Sequence, residues 1–193
     1  MPQRRLILVG GPNGAGKTTF ALMDLARHGG VYLGADAIAA EIAPADPASA
    51  AIEAGRQFLL RFDQLLETEE RIIVESTLAG KSLRNMIAAA ADRGFLIEIN
   101  FVFIDSDEMS LNRVRHRVRV GGHDVPEEDV RRRFLRTYAN FWKLYRPLAD
   151  DWMVYYNGGG NPVVVAAGVD DLLTVYRESL FVRFQQLVQG GSS

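Results

Sequence analysis

Gly11-Pro12-Asn13-Gly14-Ala15-Gly16-Lys17-Thr18, set directly after the apolar run Leu6-Ile7-Leu8-Val9, is the stretch that decides the fold. Glycine, four free positions, glycine, lysine and a hydroxyl residue is the pattern of a phosphate-cradling loop. The glycines let backbone N–H groups close around an anion with no Cβ in the way. Lys17–His28 reads as the helix this loop opens, and its N-terminal partial charge favours a phosphate. Gly11 to Thr19 is therefore the expected ATP site. Lys17 reaches the β- and γ-phosphates, and the Thr18 hydroxyl can hold Mg²⁺.

Working outward, the chain has 193 residues, enough for one α/β domain with a full core, so residues 1–193 are expected to form a single unit. The formal net charge of −2 argues against a general nucleic-acid binder. With no cysteine, disulfides, thiolate metal sites and cysteine nucleophiles are excluded together. No apolar run has the length of a membrane span, and the N-terminal run is too short for a signal peptide. These features describe a cytoplasmic enzyme with no membrane partner. Arginine greatly outnumbers lysine, which occurs only at Lys17, Lys81 and Lys143.

Leu6–Val9 is continuously apolar, as a buried parallel strand should be. Strands are expected again at Val31–Leu33, Arg71–Glu75, Phe95–Ile104 and Trp152–Tyr156, with Val163–Val165 as a hairpin return. Between them lie a long helix over Ala48–Glu69, with Ile52, Leu59, Phe62 and Leu66 as its apolar face, and a helix over Ser82–Arg93. The helix after Asp105-Ser106-Asp107 carries the stripe Leu111, Val114 and Val118. The next one, acidic in its first turn, carries Phe134, Tyr138, Phe141 and Tyr145. Asp170–Val188 is expected to be a terminal helix. Strands alternating with helices predict an α/β fold of the P-loop kinase type. Its sheet is five-stranded and mostly parallel, with helices on both faces and an arginine-rich helical lid over about 107–137.

A kinase needs a group to deprotonate its acceptor hydroxyl, a magnesium site and cations on the transferred group. Asp36, just after the second strand, is either that base or a helix N-cap. Glu75 and Thr77 follow the third strand, where a carboxylate can hold Mg²⁺ through water or bind the acceptor. Asp105 is a rival metal ligand; Glu75 is preferred because Asp105-Ser106-Asp107-Glu108 reads so readily as a capping cluster. Arg113 and Arg117 share a helical face, and Arg131-Arg132-Arg133 follow a glycine hinge. Bidentate, permanently charged arginines suit a lid over phosphates. His123 is a weaker candidate for phosphate or substrate contact, and Asn157–Pro162 lies where a loop can hold adenine by its backbone.

The phosphate loop does not stand alone. Asp36-Ala37-Ile38-Ala39, Ala54-Gly55-Arg56, Glu75-Ser76-Thr77-Leu78-Ala79-Gly80, Arg117-Val118-Arg119-Val120-Gly121-Gly122-His123-Asp124-Val125-Pro126 and Arg131-Arg132-Arg133-Phe134 follow in order. Together they resemble the zeta toxin family over about Leu6 to Asn157. The resemblance implies a P-loop kinase that phosphorylates a sugar hydroxyl of UDP-N-acetylglucosamine, with ATP and Mg²⁺ as cofactors and an antitoxin protein as a possible partner. It implies Lys17 and Thr18 at ATP–Mg²⁺, Asp36 as the base, and Glu75 and Thr77 at the acceptor. Arg113, Arg117 and the Arg131–Arg133 run, Arg132 among them, would be the lid arginines at the γ-phosphate. One departure stands out: Arg56–Arg61 has no carboxylate where the family's acceptor pocket draws one.

Overall fold

The computed structural model describes residues 3–122, 124–169 and 172–191. Its sheet has the order β2-β3-β1-β4-β5-β6-β7, with β1 at Arg5–Gly10, β2 at Val31–Leu33, β3 at Arg71–Ser76, β4 at Leu96–Phe103, β5 at Asp151–Tyr156, β6 at Val163–Val169 and β7 at Leu172–Val175. The first five strands run parallel, with Leu8 beside Val74 and Ile99 at the centre. β6 and β7 return antiparallel. The sheet is thus seven-stranded rather than five-stranded. β6 is the expected hairpin return, while β7 occupies the front of the expected terminal helix. Leu172-Leu173-Thr174-Val175 gains a ladder of hydrogen bonds against β6, and the helix α7 forms only at Glu178–Gly190. Cross-strand pairing outweighs the weak helical periodicity there.

The crossovers are α1 (Lys17–His28), α2 (Ala35–Ile42) with α3 (Ala51–Thr68), α4 (Leu83–Asp92), and α5 (Asp107–Arg119) with α6 (Glu127–Asn140). Right-handed crossovers send α1 to one face of the sheet and the later helices to the other. The ring contacts agree. Phe20 of α1 meets Tyr155 of β5, whereas Phe101 of β4 stacks on Phe141 and meets Phe184 of α7. Tyr138, Phe141 and Tyr145 are fully buried, so the expected aromatic stripe is core. Its second half is wound as a π-turn over Phe141–Tyr145.

Two helix faces differ from the periodicity. On α3 the buried stripe is Ala54, Phe58, Phe62 and Leu66, while Ile52 is 84% exposed and Leu59 51%. The buried face is a strict i,i+4 row; Ile52 lies off it towards solvent, and Leu59 lies off it on the border of a cavity. On α5, Leu111 and Val114 pack against Val130 of α6, but Val118 is exposed. That end of the helix faces the site.

Candidate active site

The loop after β1 needs its glycines. Gly11, Gly14 and Gly16 have φ of 145°, 72° and 91°, in or near the region L side chains avoid. A Cβ on Gly11 would strike the carbonyl of Val102, and one on Gly16 would stand 2.6 Å from Asn157 Nδ2. The loop is also braced from outside. Ser110 Oγ donates to the Asn13 carbonyl at 2.5 Å, one Arg113 nitrogen to Gly14 at 3.2 Å, and Asn157 Nδ2 to Ala15 at 2.8 Å. The other terminal nitrogen of Arg113 binds the carbonyls of Asn157 and Gly158 at 2.8 and 3.2 Å. The segment Asn157–Pro162 therefore reaches the phosphate loop through a buried side chain. The sequence points only to its backbone.

Lys17 is 7% exposed and donates to the Pro12 carbonyl at 3.0 Å. Its ammonium lies 3.9 Å from Glu75 Oε1. Burial holds its pKa below the ordinary lysine value, against the pull of Glu75 and Asp36, and the charge of Arg117 adds to the lowering. The second Glu75 oxygen accepts from the Tyr32 hydroxyl at 2.7 Å. Burial first, then Glu75, drives the Tyr32 pKa up, so this phenol stays a donor. Tyr32 was not among the sequence candidates. No local sequence signal marks it; in the fold, a Cβ on Gly34 would strike the Tyr32 ring and hydroxyl.

Glu75 and Ser76 end β3, Thr77 follows it, and the next residue, Leu78, is held in the left-handed region at φ 56°. Such a backbone costs about 1–3 kcal/mol and persists only where the surroundings enforce it. Here Asn140 Nδ2 donates to the Leu78 and Ala79 carbonyls at 2.9 and 3.0 Å, and Tyr145 donates to Gly80 at 2.6 Å. Thr77 Oγ1 accepts from the Ala79 N–H at 3.4 Å.

These residues converge on a cavity of about 380 Å³. Asn13, Lys17, Tyr32, Asp36, Glu75, Ser76, Thr77, Ser82, Arg117 and Arg133 line its polar part; Gly34, Ala35, Gly55, Phe58, Leu59, Leu83 and Met86 line the rest. It lies at the carboxyl ends of β1, β2 and β3, where open α/β sheets place ligands. Asp36, in the first turn of α2, is exposed into it and makes no cap bond; Gly34 holds the N-cap position.

The arginines divide. Nε and one terminal nitrogen of Arg117 are buried with no hydrogen-bond partner. Arg133 also lines the cavity, held by Asp129 at 2.8 Å. Arg132 does not line it: exposed, it pairs with Asp129 on the flank of α6. Arg131 pairs with Asp107 at 2.6 Å and with Glu127 at 3.0 Å. Arg113 serves the loop carbonyls rather than the cavity. His123 lies outside the described residues.

Asp105, the rival to Glu75, accepts from Tyr156 at 2.6 Å and pairs with Arg183 of α7 at 2.8 Å. Thr18 is exposed at the start of α1. Among the described residues there is no cluster of three His, Cys, Asp or Glu able to hold a metal. The oxygens of Thr18, Asp36 and Glu75 suit a hard cation that keeps most of its waters and arrives with the phosphates.

Three comparisons extend this picture. The model of a family described as AAA domain matches residues 6–140. An uncharacterized protein of Haemophilus influenzae is 32% identical over 132 residues, which is 68% of this chain and 94% of that protein. Among solved structures, AvrRxo1-ORF1:-ORF2 with ATP superposes with a TM-score of 0.74 at 19% identity, covering 96% of this chain and 64% of that one. This chain thus spans slightly under two thirds of that structure's length. The PezAT chromosomal toxin–antitoxin system of Streptococcus pneumoniae gives a TM-score of 0.68 at 15% identity, covering 100% of this chain and 85% of that one. The fold is that of the P-loop kinases. Among the described residues, no helix is long and apolar enough to cross a membrane.

Proposed function

The chain belongs to the AAA-domain family, and from that premise we propose that it transfers the γ-phosphate of ATP to a hydroxyl of a small molecule. The observation that carries this reading is Arg117. A guanidinium with buried, unpartnered nitrogens, beside a buried Lys17, is costly unless an anion completes it. A phosphate chain on the glycine loop supplies that anion.

In this reading Lys17 holds the β- and γ-phosphates, and Thr18 with Glu75 would hold Mg²⁺ through water. The chemistry such an ion would supply there is neutralisation of phosphate charge. Asp36 takes the proton of the acceptor hydroxyl as its oxygen bonds the γ-phosphorus, the bond to the β-bridging oxygen breaks, and ADP leaves. Arg117 and Arg133 balance charge on the phosphoryl oxygens in flight. Tyr32 fixes Glu75, and Thr77 lines the acceptor side.

The resemblance to zeta toxins puts the sugar of UDP-N-acetylglucosamine first among acceptors. The uncharged wall made by α3 and α4 favours a second reading, another small hydroxylated acceptor such as a nucleoside or an antibiotic. An antitoxin-type partner belongs to the proposal too, supported by the toxin–antitoxin complex among the structural relatives. Incubation with labelled ATP and a panel of sugar nucleotides, nucleosides and antibiotics tests the reading. A phosphorylated acceptor is the expected result. ATP hydrolysis with no product from any acceptor would replace it with a nucleotide-gated switch.

A further inference from the structure

Gly55 is an anomaly of α3. It stands inside the helix Ala51–Thr68, where glycine is a poor choice relative to alanine because it orders the most backbone freedom. Close packing normally explains such a residue. Here a Cβ would meet nothing within 4 Å, and no left-handed φ calls for glycine. Gly55 instead borders the cavity that holds Asp36 and Lys17. The neighbouring α3 residues on that border are Phe58 and Leu59, and Met86 of α4 continues the wall. None of them is charged, so this wall offers no cation to a phosphate and no carboxylate to a sugar.

We infer that Gly55 is a specificity-determining position: the missing side chain is the space into which an uncharged ring of the acceptor, sugar or base, lies flat against the α3 backbone. Phe58 and Met86 then flank the ring, and its hydroxyl points towards Asp36. The inference rests on the kinase reading above and adds the shape and polarity of what the acceptor half takes. An acceptor carrying phosphates would have to direct them away from α3, towards Arg133 or solvent.

The variants Gly55→Ala and Gly55→Leu test it, because a purely structural glycine and a ligand-making one respond differently. Gly55→Ala should melt about 2–4 °C higher, as helix propensity dictates. ATP affinity by calorimetry should be unchanged. With the best acceptor from a panel of uridine, other nucleosides, hexoses, acyclic polyols and UDP-N-acetylglucosamine, KM should rise about tenfold in Gly55→Ala and further in Gly55→Leu. In both, kcat should hold within a few-fold. Saturation-transfer NMR with a non-hydrolysable ATP analogue should show the parent's contact to the acceptor's ring protons lost in Gly55→Leu. A higher melting point with KM unchanged in both variants would overturn the inference while leaving the kinase intact. Turnover confined to acceptors that have no ring would do the same. Absence of product and of saturation transfer across the whole panel would overturn the kinase reading, and this inference with it.

Discussion

Arg113 and Arg117 sit one turn apart on α5, yet their surroundings make them opposites. The first two turns of α5 are stapled to the phosphate loop: Ser110 and Arg113 together bind the carbonyls of Asn13, Gly14, Asn157 and Gly158. The last turn reaches the cavity, where two Arg117 nitrogens are buried with no hydrogen-bond partner among the described residues. One arginine is satisfied by the fold, and two nitrogens of the other are not. The lesson is that a cluster of arginines near a phosphate site divides by partner, not by position in sequence. On α6, Arg132 and Arg133 both pair with Asp129, and placement separates them: Arg132 lies on the exposed flank and Arg133 at the cavity wall.

The sharpest challenge to this comparison is at its centre. Lys17→Ala should cut phosphoryl transfer by roughly a thousandfold or more and weaken ATP binding, since it removes charge placed where transfer develops it. Near-parental turnover would end the donor-site assignment. Asp36→Asn should keep ATP affinity by calorimetry while transfer falls by about 10²–10⁴, the usual worth of a general base. Intact transfer would return Asp36 to a helix-start role.

Next comes the pair itself. Arg117→Ala should lower kcat by about 10²–10³ and leave the nucleotide-free melting point unchanged or raised, because it deletes an unsatisfied buried cation. Arg113→Ala should do the reverse at first, costing about 1–3 kcal/mol by orphaning loop carbonyls and lowering Tm by several degrees. Identical behaviour of the two variants in melting would break the comparison.

The buried lysine also predicts a pH effect. Unfolded, Lys17 keeps its proton up to its ordinary value of 10.5; folded without nucleotide it releases it at lower pH. Between those values the unfolded chain binds more protons, so stability of the nucleotide-free protein should rise with pH in that window. Melting curves of Lys17→Met should lack the rise. Smallest of all, Arg132→Ala should change stability by no more than about 1 kcal/mol, as exposed ion pairs do, and turnover by less than about twofold. A large kinetic loss there would show that the lid rearranges to bring Arg132 inward.

Much of the site was legible beforehand because its residues sit at punctuation points. The glycine loop follows an apolar strand, Asp36 follows the second strand, and Glu75 closes the third, so strand alternation alone brings them to the carboxyl ends of parallel strands. The rest depended on contacts that periodicity does not encode. Tyr32 looked like an ordinary strand residue until its hydroxyl met Glu75. Leu59 and Ile52 fit an apolar stripe, but the row that packs is Ala54, Phe58, Phe62 and Leu66. β7 has the composition of a helix start as readily as that of an edge strand, and only β6 beside it settles the matter.

From the sequence alone came the nucleotide-binding loop, the alternating α/β order and the carboxylates at strand ends, because each is written in local spacing and residue type. Tertiary structure decided which arginine is free, which carboxylate meets Lys17 and where α3 leaves space at Gly55. Those depend on groups far apart in the chain: Asn157 at the carbonyl of Ala15, Arg183 at Asp105 and Tyr32 at Glu75. The charge or hydrogen bond that each group retains for a ligand is whatever its distant neighbours leave unsatisfied, and only folding brings those neighbours within reach.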